Sequence, residues 1–324
     1  MNPMQRKKDR IDKLAEQAAG ASADVPDAGK VADTGGVSLI ASAWRRLRRN
    51  PVFLVGLAVT VLFVLIAIFA PLLAPHNGQT GYLLNQVTPN DPVPGGQDGF
   101  PLGADGQTGR DLLSRLILGS RQTLIVGVCA TLAGLAGGVV LGTLAGAFGG
   151  WVDTVVMRLV DVMLSLPSLL LAISVATLFG RPSQWTLIVA ISVVQVPIFA
   201  RLLRGSMLAQ RASDHVLAAR ALGVKRGPIT FRHMLPNSLG PVLVQATLVL
   251  ATSIIDAAAL SFLGLGNPDD SSPEWGQMLG KAQDYFDVAP RLAFWPAACI
   301  VVVAFGFTLM GESLREALDP KTRR

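Results

Sequence analysis

The stretch DHVLAARALGVKRGPITFRHMLPN, residues 214–237, decides the fold and is here called the central stretch. It is a basic polar interval between two strongly apolar segments. Its first half is rich in Ala and Leu, which favours a helix. Gly223 should end that helix, as a glycine in the left-handed region commonly does. Pro228 and Pro236 bracket a second short segment, which Pro236 is expected to end. The stretch therefore predicts two short segments joined by a tight turn.

Long apolar blocks dominate the chain on both sides of this stretch. Of the 324 residues, 51% are hydrophobic and only 15% are charged, whereas about 25% of the residues of a soluble protein are charged. A run of ~20 apolar residues, rising ~1.5 Å per residue, crosses the ~30 Å hydrocarbon core of a bilayer. The composition predicts an all-α polytopic membrane protein. Its six predicted transmembrane helices lie at residues 52–73, 124–148, 155–179, 185–199, 239–262 and 292–310.

The distribution of positive charge predicts the orientation of these helices. Cytoplasmic loops carry an excess of Lys and Arg. Counting Arg158 of the third span with them, the two termini and the loops after the second and fourth spans hold 22 of the 28 Lys and Arg residues. The other six are Arg110, Arg115, Arg121, Arg181, Lys281 and Arg291. We therefore expect cytoplasmic termini, a cytoplasmic loop at 200–238, and external loops at 74–121 and 263–291.

The residues before the first span divide into two predicted parts. Residues 1–37 are polar and lack periodicity, which predicts a disordered cytoplasmic tail. Residues 38–51 place Leu39, Ala43 and Trp44 on one helical face with arginines beside it, a pattern typical of an interfacial helix on anionic lipid. A basic linker is the alternative. The remaining residues, 52–324, form the predicted transmembrane domain.

Local signals refine the predicted helices. Thr108 is expected to cap a short helix that precedes the second span. Pro167 should kink the third span locally. Asp161 lies one turn from Arg158, so the two are expected to form an ion pair. Glycine is frequent in the second span, which favours close approach of another helix: Gly127, Gly134, Gly137, Gly138, Gly142 and Gly146.

The central stretch resembles the cytoplasmic "EAA" loop of ABC-importer permeases. That loop has the form EAA, three residues, Gly, a spacer, and HxLPN. Ala218, Ala219, Gly223 and residues 233–237 fit this pattern, whereas Leu217 stands in the place of the initial acid.

Further motifs extend the resemblance from about residue 44 to residue 320, and they are similar to the C-type subunit of the dipeptide/oligopeptide/nickel branch. WRRLRRNP precedes a span that ends FAPLLAP. PLGADGQTGRDLLSRLILGSRQTL, residues 101–124, is similar to the external motif LGTDxxGRDxxSRxxxGxRxSL, with Ala104 for Thr and one additional residue before Gly109. LSFLGLG, PEWGQML and LREALDP match the last third.

The resemblance implies a permease subunit in a prokaryotic cell membrane that forms half of a translocation pathway for di- or oligopeptides. Nickel or another small solute is the alternative within the same class. The implied partners are a homologous permease, two cytoplasmic ATPases that bind ATP and Mg, and an external binding protein. No cofactor or metal is expected in this chain, and no nucleic acid.

The resemblance also implies that the central stretch contains a coupling helix, which docks on the ATPase. Small side chains at Ala218 and Ala219 would keep this helix slim. Arg220 and Arg226 are open to two partners, acidic side chains of the ATPase or lipid headgroups. The residues assigned to coupling are Val216, Leu217, Ala218, Ala219, Arg220, Ala221, Leu222 and Gly223.

Three polar side chains within predicted spans are candidates for a translocation cavity. A charge at this depth costs ~2.5–3.5 kcal/mol even on the lenient insertion scale, and Asp256 has no basic residue near it in the sequence. It either lines the cavity or accepts hydrogen bonds from a neighbouring helix. Gln195 and Gln245 have the same two interpretations, cavity lining or contacts between helices.

Other classes of function are disfavoured. No G-x-x-x-x-G-K-[ST] phosphate loop occurs in the sequence. The nearest Gly-rich run, residues 103–109, lacks both the spacing and the Lys. His76, His215 and His233 fall on two predicted faces of the membrane without ligand spacing. A membrane-anchored helix-turn-helix regulator would need a third helix for which the flanking spans leave no room. A self-gated channel is a further alternative.

Overall fold

A computed structural model of the protein describes residues 44–318. The chain divides into a unit of residues 1–45 and a unit of residues 46–324, and the second holds the fold described below. The predicted tail, residues 1–37, and residues 38–43 of the predicted interfacial helix lie outside the described residues. Residues 44–47 are helical, but Arg48 and Arg49 form a turn, so the prediction of a helix as far as residue 51 is wrong at its end.

Nine helices of seven or more residues occur between residues 50 and 318, and no strand is present in that range. They are α1 Pro51–Leu73, α2 Leu112–Phe148, α3 Gly150–Ser165, α4 Ser168–Leu178, α5 Gln184–Arg211, α6 Asp214–Ala221, α7 Leu235–Phe262, α8 Trp275–Lys281 and α9 Arg291–Leu318. Helices α1, α2, α5, α7 and α9 are each long and apolar enough to cross a membrane. The fold is therefore that of an all-α polytopic membrane protein.

The third predicted span is not a single helix. Helices α3 and α4 meet at an angle of 102°, so the prediction of six spans holds if this bent pair counts as one. The break lies at Leu166 and Pro167, where Leu166 has extended backbone angles. Proline disfavours helical angles in the residue before it and supplies no backbone N–H of its own. The expected local kink at Pro167 is thus a complete interruption.

Helix α2 begins earlier than predicted and is capped by a different residue. The Asp111 carboxylate accepts hydrogen bonds from the backbone N–H groups of Leu113 and Ser114, and from there one helix of 37 residues runs to Phe148. The predicted cap at Thr108 and the separate short helix are therefore wrong. Thr108 instead donates a hydrogen bond to Asp105 in the preceding loop, at 2.7 Å.

Glycines on α2 bring it close to α5, as predicted. A Cβ atom at Gly138 would collide with the side chain of Phe199, and one at Gly142 would lie 2.8 Å from the carbonyl oxygen of Ala200. No larger residue fits at either position without moving α5. Small residues allow close van der Waals packing of this kind inside a membrane, where no hydrophobic force holds helices together.

The segment before α7 joins that helix without a stop at Pro236. A helical turn at Arg226–Pro228 leads into a π-helical turn at Ile229–Met234, and α7 continues from there. The Leu235 N–H bonds to the oxygen of Thr230, five residues back. Such a widened turn tolerates the missing donor of a proline. The prediction that Pro236 ends the segment is wrong, because this proline lies inside the first turn of α7.

Candidate functional site

The short helix α6 is held on the bundle by two small apolar side chains. Val216 is 0% exposed and Ala219 is 8% exposed. Both belong to a buried cluster with Met207 of α5 and with Ile229 and Met234 of the segment before α7. Since residues three apart lie on one face of a helix, Val216 and Ala219 fix which side of α6 faces the protein.

The end of α6 is a Schellman motif centred on Gly223. The N–H of Gly223 bonds to the oxygen of Arg220 at 2.9 Å, and the N–H of Val224 bonds to the oxygen of Ala219 at 3.0 Å. Gly223 has a φ of +77°, which only glycine adopts without appreciable strain. The predicted helix end is confirmed, and it turns the chain back towards α7.

Asn237 ties the start of α7 to α6. Its Nδ2 donates to the oxygen of His233 at 2.8 Å and lies 3.3 Å from Nε2 of His215. The rings of His215 and His233 are 6.4 Å apart, so residues at opposite ends of the stretch meet in space. Across residues 44–318, no three His, Cys, Asp or Glu side chains are grouped so that they could hold a metal ion.

The outer side of α6 and the turn after it expose apolar groups. Leu222 is 84% exposed and Leu217 is 49% exposed, and Ala218 also faces outwards. Exposed apolar patches of this kind mark interaction surfaces. Within the predicted coupling set, Leu217, Ala218 and Leu222 therefore face away from the subunit, whereas Ala219 packs against it.

Acidic residues of α3 pair with basic residues of α5. The Asp153 carboxylate accepts two hydrogen bonds from the Arg204 guanidinium, at 2.5 and 2.7 Å, in the bidentate geometry typical of arginine–carboxylate pairs. Asp161 pairs with Arg201 at 2.5 Å, so the expected pairing with Arg158 is wrong. The basic side chains of the central stretch make no ion pair to another described residue: Arg220, Lys225, Arg226 and Arg232.

The predicted cavity residue Gln195 is buried between helices of this subunit. It is 2% exposed, and its Nε2 donates to Oγ of Ser253 on α7 at 2.5 Å. Ser253 also lies 2.8 Å from Oγ1 of Thr131 on α2. Gln195 therefore joins α5, α7 and α2 through hydrogen bonds. Its proposed role in a cavity stays a prediction.

Asp256 and Gln245 both lie on α7. Asp256 is half-buried, and it makes no hydrogen bond or ion pair with any residue in the described part of the chain. Gln245 lines an open groove of ≈ 710 Å³ together with Ile198, Arg201 and Ser206 of α5. A cavity role for either residue stays a prediction.

The loops at 74–111 and 263–290, here called the opposite loops, are joined by a cluster of charges. Arg115 Nη2 lies 3.0 Å from Oδ1 of Asp270, and its Nε lies 2.9 Å from Oδ2 of Asp105. Arg110 pairs with the same two carboxylates at 3.0 and 2.6 Å, and Lys281 also pairs with Asp270. Burial works to raise the pKa of Asp270, but hydrogen bonds from Lys281 and Arg110 and the charge of Arg115 lower it to about 2.

Two adjacent residues anchor the second loop. The Nε1 of Trp275 donates to the oxygen of Leu116 at 2.8 Å, and its ring lies 5.5 Å from that of Phe63. Glu274 is buried and accepts a hydrogen bond from Oγ of Ser261 at 2.8 Å. Burial raises the pKa of Glu274 to about 7, although the bond from Ser261 works in the other direction.

Comparison with known proteins identifies the family. A family model described as the binding-protein-dependent transport system inner membrane component matches residues 138–324. The chain belongs to this family. Residues 38–91 of the permease also match the N-terminal TM domain of oligopeptide transport permease C. The permease is a multi-pass inner-membrane protein, and the resemblance that its motifs indicated is confirmed.

Individual relatives cover most of the permease. The dipeptide transport system permease protein DppC of Alkalihalophilus pseudofirmus is 41% identical, over 87% of this chain and 90% of the relative. The oligopeptide transport system permease protein OppC of Bacillus subtilis is 36% identical, over 94% and 96%. A chain of the inward-facing MetNI methionine ABC transporter has a TM-score of 0.52 at 20% identity, over 63% of this chain and 96% of that one, which shows the fold alone.

The sequence did not indicate two of these interactions. Asp105, Arg110 and Arg115 lie in a quoted motif, but their partner Asp270 is 155 residues from Arg115 along the chain. Asn237 was part of the HxLPN pattern, yet nothing in the sequence pointed to its contact with His215. In both cases the sequence shows a polar residue within a motif, but only the tertiary fold brings its partner next to it.

Proposed function

We propose that this permease forms half of the translocation pathway for di- or oligopeptides in an importer driven by partner ATPases. The observation that carries the substrate class is the similarity to relatives named for dipeptide and oligopeptide transport, at 41% and 36% identity over 90% and 96% of their lengths.

We assign ATP and Mg binding to two partner ATPases, because the sequence contains no phosphate loop of its own. A second, homologous permease would close the pathway, and an external binding protein would deliver the peptide. The exposed apolar side of α6 supports a docking role for Leu217, Ala218 and Leu222. The excess of Lys and Arg around the central stretch supports a cytoplasmic position for that docking surface.

The complex can test this function directly. We expect a tag on this chain to retain a second permease and an ATPase when membranes are solubilised. In proteoliposomes supplied with the binding protein, a panel of di- and oligopeptides should stimulate ATP hydrolysis and be taken up, whereas nickel should do neither. Nickel uptake without peptide uptake would overturn the substrate class, and the absence of an ATPase from the complex would overturn the mechanism.

A further inference from the structure

A basic cavity of ≈ 400 Å³ lies where α2 ends beside the central stretch. Three arginines line it, and no Asp or Glu does. Like charges held together repel unless an anion lies between them. The residues around the cavity are Ala147, Phe148, Arg211, Arg220, Val224, Arg226, Ile229, Thr230 and Met234.

The three guanidinium groups have N–H donors that are not used in hydrogen bonds to the described residues. Arg211 donates one hydrogen bond to the oxygen of Ala147 at 2.9 Å, at the carboxyl end of α2. Arg220 and Arg226 make no hydrogen bond or ion pair to any residue that the structure describes. Each guanidinium carries five N–H donors in a planar arrangement that matches phosphate oxygens. The cavity is therefore chemically suited to a phosphate group.

An apolar groove of ≈ 300 Å³ continues from the basic cavity along α2. The two share Ala147, Phe148, Arg226 and Thr230, and the groove extends to Val139 and other apolar residues of the span. Val139 and Phe148 are nine positions apart on the helix, which corresponds to ~14 Å at ~1.5 Å per residue. A charged end followed by an apolar channel inside a membrane span has the shape and polarity of a phospholipid.

We propose that the two cavities together bind one anionic phospholipid of the bilayer. The phosphate lies among Arg211, Arg220 and Arg226, and an acyl chain lies along Val140 and Leu144. Basic pockets between transmembrane helices bind anionic headgroups in this way. An acidic side chain of the ATPase would fill the basic cavity alone, since a protein outside the membrane does not reach a groove within the span. The apolar groove thus favours lipid over the ATPase.

Native mass spectrometry of the purified transporter complex tests this site. The complex is titrated with phosphatidylglycerol and with phosphatidylcholine of the same acyl chains, and the parental complex should bind the former more tightly. Arg226→Gln should weaken phosphatidylglycerol binding about ten-fold, the effect of losing one charge-assisted hydrogen bond. Arg232→Gln is the matched control, because Arg232 is an exposed arginine of the same stretch that lines neither cavity. It should leave binding at the parental level.

A second variant tests the acyl-chain part of the site without changing charge. Val140 is exposed on α2 and lines the groove, so Val140→Trp should fill the groove and also weaken phosphatidylglycerol binding. Equal binding of the two lipids, with no effect of Arg226→Gln, would overturn the proposal. So would soluble glycerophosphoglycerol that binds as tightly as the lipid and is indifferent to Val140→Trp. Loss of the ATPase from the Arg226→Gln complex with unchanged lipid binding would assign the cavity to the ATPase instead.

Discussion

Arg115 carries a positive charge at a position that is only 1% exposed, and two carboxylates compensate for its burial. Removing a charge from water costs several kcal/mol unless an opposite charge and hydrogen bonds replace the solvent. Asp105 belongs to one of the opposite loops and Asp270 to the other, so the compensation of one buried charge also joins the two loops. Arg115 in addition donates to the oxygen of Gly78 at 2.9 Å.

Asp105→Asn should destabilise this end of the permease, because it leaves Arg115 with half of its compensation. Asp105 is 7% exposed, and breaking a buried pair typically costs about 3 kcal/mol. The midpoint of thermal unfolding in detergent measures the effect. Asp98→Asn is the control, because Asp98 is exposed in the same loop, and it should change stability by less than about 0.5 kcal/mol. Equal midpoints for the two variants would contradict the prediction.

Glu274 makes stability depend on pH near neutrality. Its pKa is raised from 4.5 to about 7 by burial, so between these values the folded state holds more protons than the unfolded state. The contribution of Glu274 to the free energy of unfolding should therefore be greatest below about pH 4.5 and fall as pH rises to about 7, by up to about 3 kcal/mol. Asp270, with a pKa of about 2, titrates below this window.

Glu274→Gln isolates that contribution, since glutamine resembles the protonated acid and stays neutral. Thermal unfolding midpoints measured at pH 4.5 and pH 8 should be similar for the two proteins at the lower pH. At the higher pH the variant should have the higher midpoint. If both proteins show the same change in midpoint between pH 4.5 and pH 8, Glu274 is not the group responsible.

At the scale of the helix, α6 has two unlike faces, and the sequence indicated the helix but not its rotation. The Ala- and Leu-rich composition and Gly223 sufficed to predict the element and its end. Ala218 and Ala219 are identical in type and adjacent, so composition could not tell which faces the bundle. Only the packing of Val216 and Ala219 against α5 and the segment before α7 decides it.

Tryptophan at these two positions should separate docking from folding. Ala218→Trp adds bulk on the outer face, so the permease should fold normally, lose ATPase from the purified complex, and lose peptide-stimulated hydrolysis. Ala219→Trp adds bulk inside a packed cluster, which should cost about 1–3 kcal/mol of stability. Size-exclusion chromatography of the complex, together with unfolding midpoints, distinguishes the two. Parental ATPase retention and hydrolysis for Ala218→Trp would show that α6 is not the docking element.

The limits of prediction for the other helices have physical causes. Apolar length located five of the six predicted spans on single long helices, because crossing a bilayer demands long apolar helices. Predicted helix boundaries were wrong where more than one residue could cap the helix, as with Thr108 and Asp111 at the start of α2. The predictions made from two prolines were wrong in opposite ways. Pro167 was expected to kink a span but interrupts it completely. Pro236 was expected to end a segment, but the π-helical turn before it lets α7 continue. What a proline does depends on the hydrogen bonds available around it.

At the scale of the whole molecule, α2 connects two distant regions, the opposite loops and the basic cavity. Its first turns hold Arg115, which joins the opposite loops, and its last residues line the basic cavity beside the central stretch. At ~1.5 Å per residue its 37 residues extend ~55 Å. Glycines pack this helix tightly on α5, which leads directly into α6. Helix α2 thus links the opposite loops to α5 and, through α5, to α6.

This arrangement requires the two regions to lie on opposite sides of the membrane, and the charge distribution predicts which side each occupies. The six-span topology predicts that 22 of the 28 Lys and Arg residues share a side with the central stretch, so that side should be cytoplasmic. Single cysteines introduced as Gln107→Cys and Gly227→Cys, in a Cys129→Ser/Cys299→Ser background, test the prediction because both positions are exposed. A membrane-impermeant maleimide should label Gln107→Cys in spheroplasts, and it should label Gly227→Cys only after the membrane is permeabilised. The reverse pattern would invert the topology and move the proposed ATPase surface to the wrong side of the membrane.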